Sequence, residues 1–297
     1  MARILITGAA GFLGHNLLLG LRSGHELLAG YYRNLPAVAG CNPVPLDVSR
    51  ASQVSEQIGR IMPDLVVHAA AIASPDICER DPERANKVIV EGTRHVTQAC
   101  REAGSRLVHI STDLVFDGVR GGYTEEDPVR GLNVYSRSKI EAENIVRAGD
   151  PAAVVLRVAL LYGMGSPASP GYVESVLRQW RRGEPVTFYT DQYRTPAFAP
   201  QVAACVDKLL LHPEVRGILH LGGPERLSRF DFGVLLARQA GVAESLFRPG
   251  TMRDAGGAAP RGADCSLVSE KVERLLGLEP VTCVAGLGSL LKNRRDD

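Results

Sequence analysis

The amino-acid sequence predicts an α/β protein: a doubly wound parallel sheet with a smaller region, drawn from the C-terminal half, that closes over its strand ends. Two observations carry that expectation. Apolar runs of strand length alternate with longer helix-patterned segments along much of the 297 residues, and such alternation builds βαβ units whose strands are buried on both faces. A glycine-rich turn follows the first of those runs directly, where a sheet of this kind receives phosphate groups.

The strand-like runs are RILIT (3–7), ELLAGYY (26–32), DLVVHAA (64–70), RLVHIS (106–111), AAVVLRV (152–158) and GILHLGG (217–223). Between them FLGHNLLLGLRSG, ASQVSEQIGRIMP, PERANKVIVEGTRHVTQACREAG and YSRSKIEAENIVRAG read as helices, stopped by Gly or Pro. Past about residue 164 the pattern loosens: GMGSPASPG (163–171) is a turn-rich break and TFYTDQYRTPAF an irregular extended stretch. PQVAACVDKLLLHP then returns the chain to the sheet. The expected division assigns 1–164, with 197–223 returning, to the sheet domain, and 165–196 with 224–297 to the smaller region.

Composition narrows the function classes. Lys and Arg total 34 against 33 for Asp and Glu, a formal charge of +1, which sets up no field to attract nucleic acid or an anionic membrane. An anionic ligand must therefore be met by local groups. Cys41, Cys78, Cys100, Cys205, Cys265 and Cys283 are scattered without a CxxC or a Cys/His cluster at metal-ligand spacing, so reduced thiols and no metal are expected. The N-terminal apolar run breaks at once into glycines, and AAVVLRVALLYG carries Arg157 in its middle; neither reads as a signal or membrane span, and a cytoplasmic protein is expected.

ITGAAGFLG places Gly8, Gly11 and Gly14, with Phe12 and Leu13, after a strand and at the mouth of a helix. Backbone N–H groups and the helix dipole can receive a pyrophosphate there, and the first two glycines are three apart, not two as in GxGxxG. A Rossmann-like dinucleotide site is the expectation. An acid about 20 positions on would grip a ribose 2′-hydroxyl, whereas an arginine accommodates the 2′-phosphate of NADP. The second strand ends GYYRN, with Arg33 and no acid beside it; this predicts NADP(H), with NAD(H) as the alternative and a solvated surface arginine as the plain one. Asp47 in PLDVS, beside Val48, is read either as accepting from the adenine amino group or as the N-cap of the next helix.

Tyr135 and Lys139, four apart, share a helix face and can reach one site. An ammonium beside a phenol lowers the phenol's pKa and makes it a usable proton donor or acceptor. With 8 tyrosines and five lysines the chain would show about 0.13 such pairs by chance, so position has to add weight. It does: the pair opens the helix after HISTDLVFDG, which sets Ser111, Thr112 and Asp113 at the carboxyl end of a parallel strand. A Thr112 hydroxyl could donate to a substrate carbonyl that Tyr135 protonates. Asp113 and Asp117 also have a reading as turn residues, the one favoured from their local sequence.

Taken together, TGxxGFLG (7–14), HAAA (68–71), STD (111–113), YxxxK (135–139) and LRVALLYG (156–163) resemble, in order, the extended short-chain dehydrogenase/reductase family. STDLVFDG, YTEEDPV, YRTP (193–196) and PRGADCS (260–266) look most like its dTDP-4-dehydrorhamnose reductase branch, which also contains the NADP-binding regulatory β-subunit of methionine adenosyltransferase. The resemblance implies that Thr112, Tyr135 and Lys139 are the catalytic set, with Lys139 also on the nicotinamide ribose. It implies that Ala69, Ala70 and Ala71 line the cofactor cleft and that the backbone around Val158 faces the nicotinamide. Ser111, Thr112, Asp113, Arg194 and Arg261 become substrate-site candidates, the two arginines standing against a reading as surface loop residues. Three positions depart from the family pattern: Leu160 where the reductases commonly carry Trp, Ile89 where an Asn is common, and Gln201 for a usual Asp.

The function the resemblance implies is NADPH-dependent reduction of a nucleotide-activated 4-keto-6-deoxy sugar, hydride to C4 and the proton from Tyr135. A regulatory NADP-binding subunit without turnover is the second reading and a nucleotide-sugar epimerase or dehydratase the third. The expected partner is the nucleotide sugar, with a homodimer as the assembly allowed for.

Overall fold

Seven parallel strands form the central sheet of the computed structural model, which describes residues 1–254 and 256–292. They are β1 (Arg3–Thr7), β2 (Glu26–Tyr31), β3 (Asn42–Pro45), β4 (Leu65–His68), β5 (Arg106–Thr112), β6 (Val154–Val158) and β7 (Gly217–Leu221). Their order across the sheet is β7-β6-β5-β4-β1-β2-β3. The chain thus starts in the middle, winds out to β3, returns to β4 beside β1 and winds the other way. β1 and β4 are paired with Thr7 opposite His68, so the winding reverses between them and the segments leaving both strands meet at the switch point.

Eleven α-helices are described: α1 (Phe12–Leu21), α2 (Ala51–Ile61), α3 (Pro75–Arg80), α4 (Pro82–Ala85), α5 (Gly92–Ala103), α6 (Val134–Gly149), α7 (Tyr172–Arg181), α8 (Ala199–Leu211), α9 (Arg229–Ala240), α10 (Glu270–Leu276) and α11 (Cys283–Lys292). Because side chains alternate along a strand, Ile4 and Ile6 pack with Leu17, Leu18, Val202 and Val206 of α1 and α8. Leu5 lies in the opposite layer with Val54, Ile58, Val96 and Val146 of α2, α5 and α6. The segment expected as one helix over 82–104 is instead α4, a π-helical stretch Asn86–Glu91 and α5. Its widened turn is where the Thr93 hydroxyl bonds Ile89 O at 2.5 Å.

A second core joins Tyr162, Trp180, Phe188, Phe232, Leu236 and Leu287. It is built by α7, α9, α11 and a parallel ribbon of Val186–Tyr189 with Phe247–Gly250. The division expected from the sequence is crossed by α10, whose Val272 and Leu276 pack into the first core beside α8 residues. Positions 293–297, which that division also assigned to the smaller region, lie outside the described residues. Among the described residues no helix is long and apolar enough to cross a membrane, and no group of three or more His, Cys, Asp or Glu is placed to ligate a metal.

Candidate active site

The glycines of the first turn are there for want of a side chain. Gly8 has φ +69°, and a Cβ on it would lie 2.8 Å from the Cα of Ala70. A Cβ on Gly14 would lie 2.4 Å from Gly8 O, so α1 enters tightly against the strand end with Gly11 N bonded to Gly8 O at 2.9 Å. Asn16 fixes α1 further by donating to Phe12 O at 2.8 Å and to Met164 O at 2.7 Å, which ties the turn to the loop that leads into α7. Across the switch point Ala70 N donates to the Thr7 hydroxyl at 3.1 Å, and Thr7 lies 2.8 Å from His68 Nδ1. Ala69 to Ala71 follow β4, and Val158 ends β6; the expected cofactor contacts therefore share the carboxyl edge of the sheet.

Two expectations at the outer end of that edge change in character. Asp47 is not the N-cap of α2: that position is Arg50, without a side-chain cap. Asp47 instead closes a local turn, accepting from Ser49 N at 3.0 Å and Ser49 Oγ at 2.7 Å. Val48 turns its side chain into the core, leaving only its backbone for a ligand. Arg33 is exposed and stacks over the Tyr32 ring at 5.0 Å.

Thr112 and Tyr135 meet at the end of β5. The Asn133 side chain accepts from Ser136 N at 2.9 Å as the N-cap of α6 and donates to Pro260 O at 2.8 Å, and this sets the first turn of the helix that carries Tyr135. Burial and the Asp113 carboxylate push the Tyr135 phenol up, and a hydrogen bond with Thr112 pulls the other way. The expected depression by Lys139 is absent in this arrangement. Lys139 turns into the sheet, donating to Ile110 O at 2.6 Å with its Nζ 3.0 Å from His109 Nε2, and burial lowers its pKa to about 8.

Strand alternation separates the three residues STD. Ser111 faces away from Thr112 and donates to Glu143, a buried carboxylate that Arg157 grips through Nε at 3.0 Å and Nη2 at 2.8 Å. It belongs to a polar seam behind the site and not to a substrate surface. Asp113 is more than a turn residue. Buried, it accepts from Thr112 Oγ1 at 3.0 Å and lies 3.4 Å from Arg194 Nε. Asp117 does cap a turn, accepting from Val119 N at 3.2 Å.

The two candidate arginines are both committed. Arg194 is buried, with Nη1 on Tyr193 O at 2.5 Å and Nη2 on Gly262 O at 3.2 Å; in that state it braces loops and offers no open face to a phosphate. Arg261 pairs with Asp76, half-exposed at the rim of a cavity of about 410 Å³ lined by Tyr189, Gln192, Met252, Gly257, Pro260 and Arg261. Pro260 is the residue that Asn133 holds, so this cavity adjoins the start of α6. Sequence reading missed Asn133, Glu143, His109 and His220. A signal for the last three was present: a charged or imidazole group inside an otherwise apolar strand or helix face, as with His109 between Val108 and Ile110, is expensive unless it has a partner. Gln201, one of the departures, staples α8 to the chain beyond α10 by donating to Glu279 O at 2.7 Å.

Residues 2–295 match the family model described as the RmlD substrate binding domain. Methionine adenosyltransferase 2 subunit beta of Danio rerio is 32% identical over 283 residues, 93% of this chain and 85% of that protein. The probable low-salt glycan biosynthesis reductase Agl14 of Haloferax volcanii is 31% identical over 289 residues, 96% of both. Among solved structures, a dTDP-4-dehydrorhamnose reductase of Clostridium acetobutylicum superposes with TM-score 0.85 at 26% identity, covering 98% of this chain and 99% of its own. The dTDP-4-dehydrorhamnose reductase of Bacillus anthracis, solved in complex with NADP, gives the same values.

Proposed function

The chain belongs to the RmlD substrate binding domain family, and on that premise we propose that it is an NADPH-dependent reductase of a nucleotide-activated 4-keto-6-deoxy sugar. The observation that carries the reading is the meeting of the Thr112 hydroxyl and the Tyr135 phenol, with Lys139 one helical turn behind, beside a glycine turn that fits a dinucleotide. The fit rests on close packing: without side chains at Gly8 and Gly14 the turn lies against Ala70 and the entry of α1 against the turn, which would let backbone N–H groups at the helix mouth face a pyrophosphate. Gly11, Phe12 and Leu13 would complete that cradle, Arg33 would meet a 2′-phosphate, the turn at Asp47 and Val48 the adenine, and Ala69 to Ala71 with Val158 the inner cleft. When bound, the dinucleotide supplies the hydride that C4 of the sugar accepts.

The rest of the chemistry falls to the chain. Tyr135, held protonated by burial and by Asp113, is loaded to give its proton to the C4 oxygen as that atom gains charge. Thr112 spends its one hydroxyl proton on Asp113 in the resting arrangement while accepting from Leu114 N at 3.2 Å; rotation of that proton toward the sugar carbonyl would supply the second donor. Two of the three Lys139 N–H groups are directed to Ile110 O and His109, and the third is left for the cofactor ribose. The sugar lies toward the cavity beside Pro260, with Arg261 at its rim.

Tyr135→Phe tests the assignment. Turnover should fall by about 10² to 10⁴ while NADPH binding, followed by fluorescence, stays at the wild-type level. A phenylalanine variant that reduces the sugar at the wild-type rate removes Tyr135 from its role. A second reading, an NADP-binding regulatory subunit, draws on the 32% identity to methionine adenosyltransferase 2 subunit beta and on Leu160 in place of the common Trp. Its signature is NADPH binding with no turnover on any keto sugar.

A further inference from the structure

His109 sits in β5 between the apolar Val108 and Ile110 and is 1% exposed. Its Nε2 lies 3.0 Å from Lys139 Nζ, and its Nδ1 is buried without a hydrogen-bond partner among the described residues. A protonated amine can only donate, so Nε2 must accept and the single proton of the neutral ring must sit on Nδ1. A buried N–H without a partner is costly. The ring therefore tolerates an unsatisfied donor in order to present an acceptor to Lys139, the one polar contact it makes.

The neighbouring ring has a different task. Thr93 gives its hydroxyl proton to Ile89 O at 2.5 Å, so it must accept from His68 Nε2 at 3.2 Å, and His68 Nδ1 then accepts from Thr7. That chain is complete without Lys139, although the two imidazole centroids are only 5.3 Å apart. Burial holds both rings neutral, with the Lys139 charge acting in the same direction. Tyr135 and Glu143 lie one turn either side of Lys139 on α6, Asp113 and Cys78 act on Tyr135, and Arg157 of β6 is held by Glu143. Glu143 raises the lysine's pKa from one turn away but has its oxygens on Arg157 and Ser111.

We propose that His109 is a positioning residue for Lys139: its Nε2, together with Ile110 O, holds the ammonium from the sheet side and leaves one N–H for the cofactor. The inference rests on the reading that Lys139 serves the cofactor, and it is tested without the sugar. With five lysines in the chain, the Lys139 side-chain signal of labelled protein is assigned by its loss in Lys139→Arg, and its titration is followed by NMR in wild type, His109→Leu and His109→Gln. Removing the acceptor should lower the Lys139 midpoint by about one unit or more, and the glutamine, whose carbonyl can accept, should restore most of it. Nitrogen shifts of His109 in the wild-type protein should show the proton on Nδ1; that measurement needs no variant to fold. An unchanged midpoint in His109→Leu, or a proton on Nε2, overturns the proposal. Shifted titration in a protein that reduces no keto sugar would uphold the His109 assignment and remove the reductase.

Discussion

Arg33 shows what a single residue settles and what its sequence position leaves open. Exposed at the end of β2 and stacked on Tyr32, it presents a free guanidinium on the carboxyl edge of the sheet, where a 2′-phosphate would be met. Arg33→Ser should lower kcat/KM with NADPH by about 10-fold to 100-fold, the worth of one charged hydrogen bond or two, and leave the value with NADH nearly unchanged; equal losses with both cofactors would make it a structural residue. Ser111 is a candidate from its place at a strand end and Arg194 from the family resemblance, and neither says which way a side chain turns. Alternation along β5 was enough to set Ser111 and Thr112 on opposite sides, whereas the burial of Arg194 depends on the loop at 262–264, far away in sequence.

At the scale of elements, α6 is the part on which the site depends, and it is fastened at both ends of its useful length. Asn133 caps its start, and two turns beyond Tyr135 its Glu143 is buried against Arg157 of β6, whose Nη1 lies 3.3 Å from His220 of β7. The seam spans three strands and the helix. A buried pair is weak evidence for net stability, but breaking one partner leaves a bare charge inside. Glu143→Ala should cost about 3–5 kcal/mol in urea unfolding; a loss below about 1 kcal/mol would show that water reaches Arg157. The helices and strands themselves were legible, because a strand buried on both faces is a continuous apolar run and a surface helix has a 3.6-residue stripe. The π-helical stretch was not, since nothing in the periodicity of 86–91 distinguishes an extra residue per turn from an ordinary one.

For the whole molecule, the doubly wound order follows from short connections and a right-handed crossover, and the glycine turn, Thr112 and Tyr135 converge because all three lie at or just beyond the carboxyl edge near the switch point. The smaller core was harder to anticipate. Its strands are short and its helices come from three separated stretches, so its composition is visible only once α7, α9 and α11 are packed. The cavity beside Pro260 is lined by separated segments, Tyr189 and Gln192, Met252 and 257–261, which is why the sequence speaks more clearly about the glycine turn than about what this cavity would hold. The most direct measurement follows NADPH absorbance with the purified protein and enzymatically generated dTDP-4-keto-L-rhamnose, with NADH in parallel. Sugar-dependent oxidation, faster with NADPH, is the predicted result; tight NADPH binding with no sugar-dependent oxidation would contradict it.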